Sequence, residues 1–542
     1  GHRVTAAASV TDAPDSDETG TAPVEHLDVL VVGAGISGIA AAHYLGANCP
    51  WASYAIVEAR DAIGGTWDLF RYPGIRSDSD MYTLGYSFRP WDGEQTIADG
   101  DAILRYLRAT AAAEGIDRKI RFGHRIVRAE WSSADALWRV TAERGPEREP
   151  VVLTCSFLMS CTGYYRYDHG HQPDFAGLDR YQGTLIHPQH WPEDLDHTGK
   201  RVVVIGSGAT AVTLLPALAE RAAHVTMLQR SPGYVASVPQ RHPLARLLRR
   251  TLPERWSSPI IRWALTSFTQ GSYFLSKRRP ELVKRVLRKG LERSLPPGYD
   301  IDTHFTPSYD PWDQRLCAVP DGDLFKAIRA GTASVVTDHI DTFTESGIRL
   351  RSGAELEADI VVSATGLDLL FMGGMELTVD GEPVPLGERL VYKGMMLDGV
   401  PNVAVAVGYT NASWTLKAEL TCQYVTRLLN HLRDTGLRQC TPHNSDPGMR
   451  PAPLLGLASG YIERAADRLP KQGSRSPWLV HQNYWRDHKL MKRGGIDDEM
   501  TFSNPVGAGP GRAAASTQAA SDASVDAVTG SAPPSTELVG SP

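Results

Sequence analysis

LDVLVVGAGISGIAAAHYL, at residues 27–45, combines a β-branched apolar run, a glycine-rich turn and a run of helix-forming residues. A run this apolar is typical of a strand buried on both faces, as in a parallel sheet. The same pattern returns at residues 201–219 as RVVVIGSGATAVTLLPALA. The duplication predicts an α/β chain with two Rossmann-like dinucleotide-binding domains, discontinuous in sequence.

The first repeat carries the spacing Gly33-x-Gly35-x-x-Gly38 between its strand and its helix. The first glycine allows a tight turn, the second lets a pyrophosphate approach the backbone, and the third lets the helix pack on the strand. Ser37 adds a hydroxyl on the same turn, and Glu58 ends the next strand, 20 residues after Gly38. A carboxylate at that distance binds ribose hydroxyls, so the first site is predicted to take FAD or NAD.

The second repeat reads Gly206-x-Gly208-x-x-Ala211, and its next strand ends in Arg230-Ser231 rather than in an acid. A guanidinium cannot accept hydrogen bonds from ribose hydroxyls, but it can pair with a 2′-phosphate. The second site is therefore predicted to take NADP(H). The other candidate contacts of this turn and helix start are Ser207, Ala209, Thr210 and Val212.

Two long motifs resemble fingerprints of the type I Baeyer–Villiger monooxygenases. GGTWDLFRYPGIRSD at 64–78 fits the first, [A/G]GxWxxxx[F/Y]P[G/M]xxxD. YQGTLIHPQHWP at 181–192 is similar to the second, FxGxxxHxxxWP, with Tyr181 in place of Phe. The subgroup that the sequence resembles most is that of the ethionamide-activating monooxygenases.

The resemblance implies site residues as well as a fold. Arg315, within HFTPSYDPWDQRLCAVPDGDLFKAI, corresponds to the family's active-site arginine, and Asp78 is expected to orient it. Gln314 stands where many members have Lys, which leaves more of the 2′-phosphate binding to Arg230. Ile126 is expected to contact the FAD adenine through its backbone. The remaining cofactor contacts that the resemblance implies are Gly65, Thr66, Trp67, Asp68, Leu69, Arg76, Ser77 and Asp78.

The resemblance also implies an activity. A family member uses FAD, NADPH and O₂ to insert one oxygen next to a ketone carbonyl, giving an ester or lactone, and it can also oxidise sulfides or thioamides. Two alternatives stay open on the sequence. One is a flavin-containing monooxygenase that oxidises N and S atoms, although such enzymes usually carry a Tyr-basic pair where Trp191-Pro192 stands here. The other is a nucleotide-binding redox sensor without catalytic turnover.

The sequence divides into segments of different composition. The FAD domain is expected in two parts, and the NADP domain in two further parts separated by a helical insertion rich in Arg, Leu and Trp. Both ends of the chain are poor in large apolar residues and are expected to be disordered. The segments are a tail at 1–24, FAD domain at 25–165 and 364–503, linker and NADP domain at 166–239 and 296–363, insertion at 240–295, and a tail at 504–542.

Composition excludes several classes of protein. The 542 residues include 56 Lys and Arg against 62 Asp and Glu, a balance that argues against a nucleic-acid-coating protein. No apolar run reaches the roughly 18 residues needed for a transmembrane helix, and no secretory signal is recognised. Six cysteines without CxxC or zinc-ligand spacing indicate reduced thiols, no metal site and a cytoplasmic location. The basic insertion could touch an anionic membrane surface, although a solvated helix face is the commoner explanation for such a charge run.

Deleting residues 504–542 is expected to leave the melting temperature and the turnover nearly unchanged, because this segment lacks the apolar groups needed to dock. Thermal denaturation and NADPH consumption of the truncated chain measure the effect. A loss of several degrees would show that the segment packs on the body of the protein.

Overall fold

Two sheets form the centre of the fold, and each contains the strand of one glycine-rich repeat. The structure, a computed structural model, describes residues 23–506. In the first sheet, the strand Glu25–Val32 lies parallel to Tyr54–Val57 on one side and to Glu149–Ser160 on the other. An antiparallel meander extends the sheet beyond Glu149–Ser160. Its nine strands are Glu25–Val32, Tyr54–Val57, Ile120–Arg121, His124–Ser132, Leu137–Arg144, Glu149–Ser160, Glu376–Val379, Glu382–Pro383 and Val403–Val405.

The second sheet has five strands, and every neighbouring pair is parallel. Its central strand, Arg201–Ile205, is the strand of the second repeat, and its last four residues are buried. Together with the first sheet, this arrangement confirms the predicted fold class of two Rossmann-like domains. In spatial order the strands are Ala333–Thr337, His224–Gln229, Arg201–Ile205, Ile360–Ser363 and Thr184–Ile186.

Helices cover the sheets, and short strand pairs complete the fold. The helices of the two repeats, Ile36–Asn48 and Ala209–Ala219, each follow their glycine-rich turn directly. The other α-helices are Thr66–Leu69, Met81–Leu84, Gly100–Ala113, Pro243–Thr251, Glu254–Arg278, Pro280–Ser294, Ile301–His304, Asp323–Arg329, Trp414–Thr435, Gly460–Ala465 and Tyr484–Lys492. The smaller sheets contain Val235–Val238 with Cys317–Pro320, Ile340–Phe343 with Gly347–Leu350 and Glu355–Glu357, Val391–Tyr392 with Met396–Leu397, Gln439–Pro442 with Met500–Ser503, and Ala452–Pro453 with Lys471–Gln472.

The chain passes between the two sheets at two neighbouring points. Each crossing carries a Thr-Gly pair just after a strand, Thr162-Gly163 after Glu149–Ser160 in the first sheet and Thr365-Gly366 after Ile360–Ser363 in the second. The two crossing segments hydrogen-bond to each other, from the Arg166 amide to the Asp368 carbonyl at 2.8 Å and from the Leu370 amide to the Tyr164 carbonyl at 2.8 Å. The two domains are thus joined by a two-stranded connection beside the carboxyl ends of their parallel strands.

The basic segment is helical, as predicted, and consists of three consecutive helices: Pro243–Thr251, Glu254–Arg278 and Pro280–Ser294. They lie between Val235–Val238 and Cys317–Pro320, two strands that pair with each other in parallel. The segment is therefore an insertion into the second domain. Among residues 23–506, no helix is both long enough and apolar enough to cross a membrane.

The segments predicted to be disordered lie mostly outside the described residues. Asn504 is an exception, because its side chain accepts a hydrogen bond from the Arg438 amide at 2.9 Å and donates one to the Gly436 carbonyl at 3.1 Å. The sequence places this residue in the C-terminal tail, whereas the structure ties it to the body of the first domain. A truncation that tests the tail therefore begins at residue 507.

A glycine with positive φ ends the first strand of both repeats. Gly33 has φ +108° and Gly206 has φ +134°. At both positions a Cβ would clash with a backbone carbonyl of the chain crossing, that of Cys161 in the first domain and that of Ala364 in the second. The two turns share one steric constraint, which explains why both copies of the motif begin with glycine.

Replacing Gly38 by alanine is expected to destabilise the first domain. A Cβ there would collide with the Gly33 carbonyl, and backbone must move to relieve the clash, at a cost of about 3 kcal/mol in the free energy of unfolding. Gly46→Ala is the matched control, because a Cβ at Gly46, in the same helix, meets no atom within 4 Å. This control is expected to be stabilised by up to about 1 kcal/mol. Equal melting temperatures for the two variants would contradict the close helix–strand packing.

Candidate active site

A cavity of about 640 Å³ runs between the two domains at the carboxyl ends of their parallel strands. The first domain contributes the turn after its first strand, the Gly64–Trp67 loop and the chain crossing at 161–168. The second domain contributes the start of the helix Ala209–Ala219. This is the edge at which open parallel sheets bind their ligands, and the volume lies in the range of small-molecule sites.

Glu58 lies at the first-domain end of the cavity and is buried. One carboxylate oxygen accepts a hydrogen bond from the Ala34 amide at 3.0 Å, and the other accepts one from the Arg60 amide at 2.9 Å. These bonds fix the carboxylate, and each oxygen keeps a free lone pair for a ribose hydroxyl. Ile126 lines the cavity nearby, together with His124, Arg125 and Arg148.

The glycine-rich turn of the first repeat is held from two sides. Gly35 lies against Gly65, since a Cβ on Gly35 would stand 3.6 Å from the Gly65 Cα atom. The Ser37 hydroxyl accepts a hydrogen bond from the Trp414 indole at 2.8 Å. Trp414 is the first residue of the helix Trp414–Thr435, so the amino ends of two helices meet at this wall of the cavity.

Two buried guanidinium nitrogens at the cavity have no partner among the described residues. They are Arg60 Nε and Arg76 Nη2. The other terminal nitrogen of Arg76 donates to Asp323 of the second domain at 2.5 Å. Unpartnered buried donors are costly, and a phosphate oxygen is the acceptor that a guanidinium binds best. The residues present therefore fit a dinucleotide with its phosphates between the two domains.

Arg315 and Asp78, which the sequence predicts to be catalytic, are brought together in the lining of the cavity. The Arg315 Nη2 atom donates to an Asp78 carboxylate oxygen at 2.6 Å. Burial tends to lower the pKa of Arg315, but the negative charge of Asp78, together with the neighbouring phenols of Tyr164, Tyr165 and Tyr461, holds the pKa above its ordinary value. The guanidinium is a permanent cation in the cavity.

Aromatic residues surround this ion pair. Tyr164 and Tyr165 follow the Thr-Gly of the first chain crossing and line the cavity, and Tyr461 lies near them in the C-terminal part of the chain. Burial raises the pKa of all three phenols, so each keeps its proton at neutral pH. The Tyr164 ring also packs 5.1 Å from the Trp414 ring.

The sequence did not single out these tyrosines or Trp414 as site residues. Tyr164 and Tyr165 could have been found, because they follow directly on a strand whose carboxyl end faces the site. No sequence signal points to Tyr461 or to Arg148, which reach the region from elements distant in the chain.

Most of the predicted loop residues line the cavity, namely Gly65, Thr66, Trp67, Arg76, Ser77 and Asp78. Asp68 and Leu69 do not. Asp68 is buried among arginines and accepts from Arg60 at 2.6 Å and from Arg71 at 2.8 Å. Its side chain anchors the loop rather than facing the cavity, because its carboxylate is already occupied by these cations.

In the second domain, Ala209, Thr210 and Val212 line the cavity. Ser207 does not line the cavity, and its hydroxyl donates to the Ser231 carbonyl at 3.2 Å. Arg230 is exposed at the end of the strand His224–Gln229 and has no acidic partner among the described residues. The remaining predicted residues, Gly206, Gly208 and Ala211, form the turn and the helix start.

His187, in the second fingerprint, lies in the linker and does not line the cavity. Its Nδ1 accepts from the Gln189 amide at 3.2 Å, and its Nε2 lies 3.3 Å from the Gly366 carbonyl at the second chain crossing. Burial lowers its pKa, which favours the neutral ring. Its contacts fix the linker to the crossing.

No cluster of three or more His, Cys, Asp or Glu side chains suited to a metal ion occurs within residues 23–506.

Comparison with known proteins connects this geometry to a family. The model of the family described as flavin-binding monooxygenase-like matches residues 87–379, and that of an NAD(P)-binding Rossmann-like domain matches residues 31–91. The FAD-containing monooxygenase EthA of Mycobacterium tuberculosis is 54% identical over 488 residues, which cover 89% of this chain and 99% of that protein. The chain belongs to the flavin-binding monooxygenase-like family.

Membership in this family confirms the family resemblance stated from the sequence. It also confirms that the chain is a flavin-dependent monooxygenase, with FAD and NADPH as its cofactors, and it excludes the redox sensor without turnover. A second relative, the probable FAD-binding monooxygenase AlmA of Acinetobacter baylyi, is 48% identical over 88% of this chain and 95% of its own length.

Solved structures of other proteins share the fold. An oxidised steroid monooxygenase bound to NADP has a TM-score of 0.70 at 22% identity, covering 88% of this chain and all of that one. A cyclohexanone monooxygenase from Rhodococcus bound to NADP⁺ has a TM-score of 0.68 at 19% identity, covering 89% and 100%. At these identities the likeness establishes the two-domain fold alone.

Arg230→Ala is expected to weaken the binding of NADPH much more than the binding of NADH. The exposed guanidinium can bind the 2′-phosphate through charge-assisted hydrogen bonds worth ~1.5–3 kcal/mol, or roughly 10- to 150-fold in affinity. The measurement is the ratio of kcat/KM for the two coenzymes before and after substitution. Arg221→Ala is the control, because Arg221 is exposed in the same domain but precedes the strand His224–Gln229, so that it lies at the amino end of this strand whereas Arg230 lies at its carboxyl end. A ratio that stays within about twofold for Arg230→Ala would show that Arg230 does not bind the phosphate.

Proposed function

We propose that this chain is a Baeyer–Villiger monooxygenase that uses NADPH and O₂ to insert one oxygen next to a ketone carbonyl. The products are esters or lactones, and sulfides or thioamides are further substrates. The observation that carries the proposal is the Arg315–Asp78 pair, a fixed cation in the cavity between the two dinucleotide-binding domains. The fingerprint loop that contains Asp78 supports the same activity.

The two cofactors are assigned to opposite walls of this cavity. Gly33, Gly35, Ser37, Gly38 and Glu58 would hold FAD, and the turn at 206–212 with Arg230 would hold NADPH. When bound, NADPH supplies a hydride and FAD supplies the oxygen taken from O₂. Ile126 contributes its backbone at the adenine end, where it lines the cavity.

Arg315 stabilises negative charge on oxygen. A guanidinium stays protonated at every working pH, so it can donate hydrogen bonds to an anionic oxidant and to the oxyanion that develops on a ketone oxygen. Asp78 accepts one of the Arg315 hydrogen bonds and so fixes the direction of the remaining donors. Tyr164 and Tyr165 line the cavity beside this pair. Burial raises the pKa of both phenols, so they stay neutral and add no negative charge next to Arg315.

A monooxygenase specific for N and S atoms is the alternative within the family. Trp191-Pro192 favours the Baeyer–Villiger assignment, because N- and S-oxidising flavin monooxygenases usually carry a tyrosine followed by a basic residue at this point of the motif. Gas-chromatographic analysis of products from a panel of linear to bulky ketones, with NADPH and O₂, separates the two. Formation of sulfoxides or N-oxides without any ester or lactone would contradict the proposal.

Arg315→Ala is expected to abolish ester formation while NADPH-driven flavin reduction continues. Loss of one preorganised charge contact costs ~10²–10³ in rate. Arg315→Lys keeps the positive charge but loses the paired donor geometry, so an intermediate rate is expected. The two half-reactions are followed by flavin absorbance without O₂ and by product yield with O₂. An undiminished lactone yield from Arg315→Ala would remove Arg315 from the mechanism.

The domain division stated from the sequence is also part of this proposal. The positions of the strands along the chain support this division, because all strands of the second sheet fall between residues 184 and 363.

We propose a cytoplasmic location as well. Its support is the state of the cysteines, because all six are free and buried in the described part of the chain, as is usual in a reducing compartment.

Peripheral contact with a membrane through the helical insertion is a further part of the proposal. Its support is the number of large apolar residues that these three helices expose, together with their positive charge. A surface of this composition is typical of helices that lie at a lipid interface.

A further inference from the structure

The helical insertion exposes an aromatic stripe. Trp256, Ile260, Trp263 and Phe274 follow one another in the helix Glu254–Arg278 at spacings that place them on one face. Trp263 is 61% exposed and Phe274 is 62% exposed, although large aromatic side chains are normally mostly buried. The stripe runs for about 27 Å along the helix.

The neighbouring helices continue this apolar surface. Leu244 and Leu247 are exposed on the helix Pro243–Thr251, and Leu282 and Val286 are exposed on the helix Pro280–Ser294. Of the fifteen large apolar residues exposed among the described residues, eleven fall within the insertion. Exposed apolar residues concentrated in this way mark an interaction surface rather than ordinary scatter.

Positive charge is concentrated in the same segment. Residues 240–295 contain fourteen Lys and Arg against three Glu, whereas the whole chain has a net charge of −6. In the helix Pro280–Ser294, Lys284 and Arg288 pair with acids of the second domain, Asp310 and Asp302. Lys284 and Arg288 therefore hold the helix on the protein, and the other cations of this helix can bind an external partner.

The available cations share a face with the exposed apolar residues. Arg285, Lys289 and Arg293 are exposed and have no acidic side chain within 4 Å among the described residues. Their spacing places them beside Leu282 and Val286 on the outer side of the helix. Arg246, Arg250 and Arg255 extend the charge along the other two helices, where they are also exposed.

We propose that this surface, formed by the outer faces of 243–294, docks on the anionic surface of a lipid bilayer. The aromatic and aliphatic side chains enter the interface, and the cations pair with acidic headgroups. The inference rests on the membrane contact proposed above and specifies its chemistry. A second copy of the chain fits poorly as the occupant, because two such strongly cationic surfaces would repel each other.

The test is cosedimentation of the full chain with vesicles of phosphatidylglycerol mixed with phosphatidylcholine, and with vesicles of phosphatidylcholine alone. Binding is expected to the anionic vesicles, to weaken as salt is added, and to be much weaker to phosphatidylcholine. The combined change Arg285→Gln, Lys289→Gln and Arg293→Gln is expected to lower the partition coefficient by roughly fivefold per cation, on the order of 100-fold in all.

A matched control removes the same charge elsewhere. It combines Arg105→Gln, Arg118→Gln and Arg329→Gln, which are exposed outside the insertion and have no ion pair in the described structure. This variant is expected to bind vesicles like the parent. A third variant, Trp256→Ser with Trp263→Ser and Phe274→Ser, is expected to lose at least tenfold in binding, since it removes most of the apolar stripe.

Turnover of a water-soluble ketone without vesicles is expected to be unchanged in all three variants, which shows that each is folded. Failure of the parent to bind either vesicle would overturn the membrane contact itself and leave the monooxygenase proposal standing. Equal binding to both vesicles, or equal loss in the charge variant and its control, would overturn the anionic docking surface. Reduced self-association of the aromatic variant with unchanged vesicle binding would assign the stripe to an interface between copies instead.

Discussion

The positive-φ glycine at the end of the first strand of each repeat is the constraint on which the two-domain arrangement depends. At Gly33 and at Gly206 a backbone carbonyl of a chain crossing occupies the space that a Cβ would need. The first strand of each sheet can therefore lie directly beside the crossing between the domains. The two crossings then hydrogen-bond to each other, so both glycine-rich turns face one shared cavity.

This arrangement gives the cavity its chemistry. Asp78 comes from the first domain and Arg315 from the second, so their 2.6 Å ion pair forms only where the two domains meet. Arg76 and Asp323 make a second contact of the same kind across the boundary. A fixed cation among neutral phenols is suited to stabilise charge that develops on oxygen, and relative motion of the domains would change its surroundings.

The charge of the insertion differs from that of the rest of the protein. The chain is acidic overall, but the insertion carries a strong local excess of Lys and Arg beside exposed Trp and Phe side chains. Such a combination would be costly in water without a partner, since the exposed aromatic area gains nothing from folding. The insertion lies in the second domain and contributes no residue to the lining of the central cavity, so docking there can leave the cofactor cavity open to substrate.

The sequence by itself determined the fold class, both glycine-rich turns and the helical insertion, and it singled out Glu58, Asp78 and Arg315 as candidates that line the cavity. These features depend on local chemistry and on fixed spacings, such as a glycine where φ is positive or an acid at the end of the next strand. Other features were decided only by the tertiary structure. Asp68 lies within the fingerprint, yet Arg60 and Arg71 occupy its buried carboxylate, and Tyr461 joins the site from almost 150 residues beyond Arg315. Spacing along the chain cannot show which side chains compete for one charge or which distant segments meet, because both depend on how the two sheets pack.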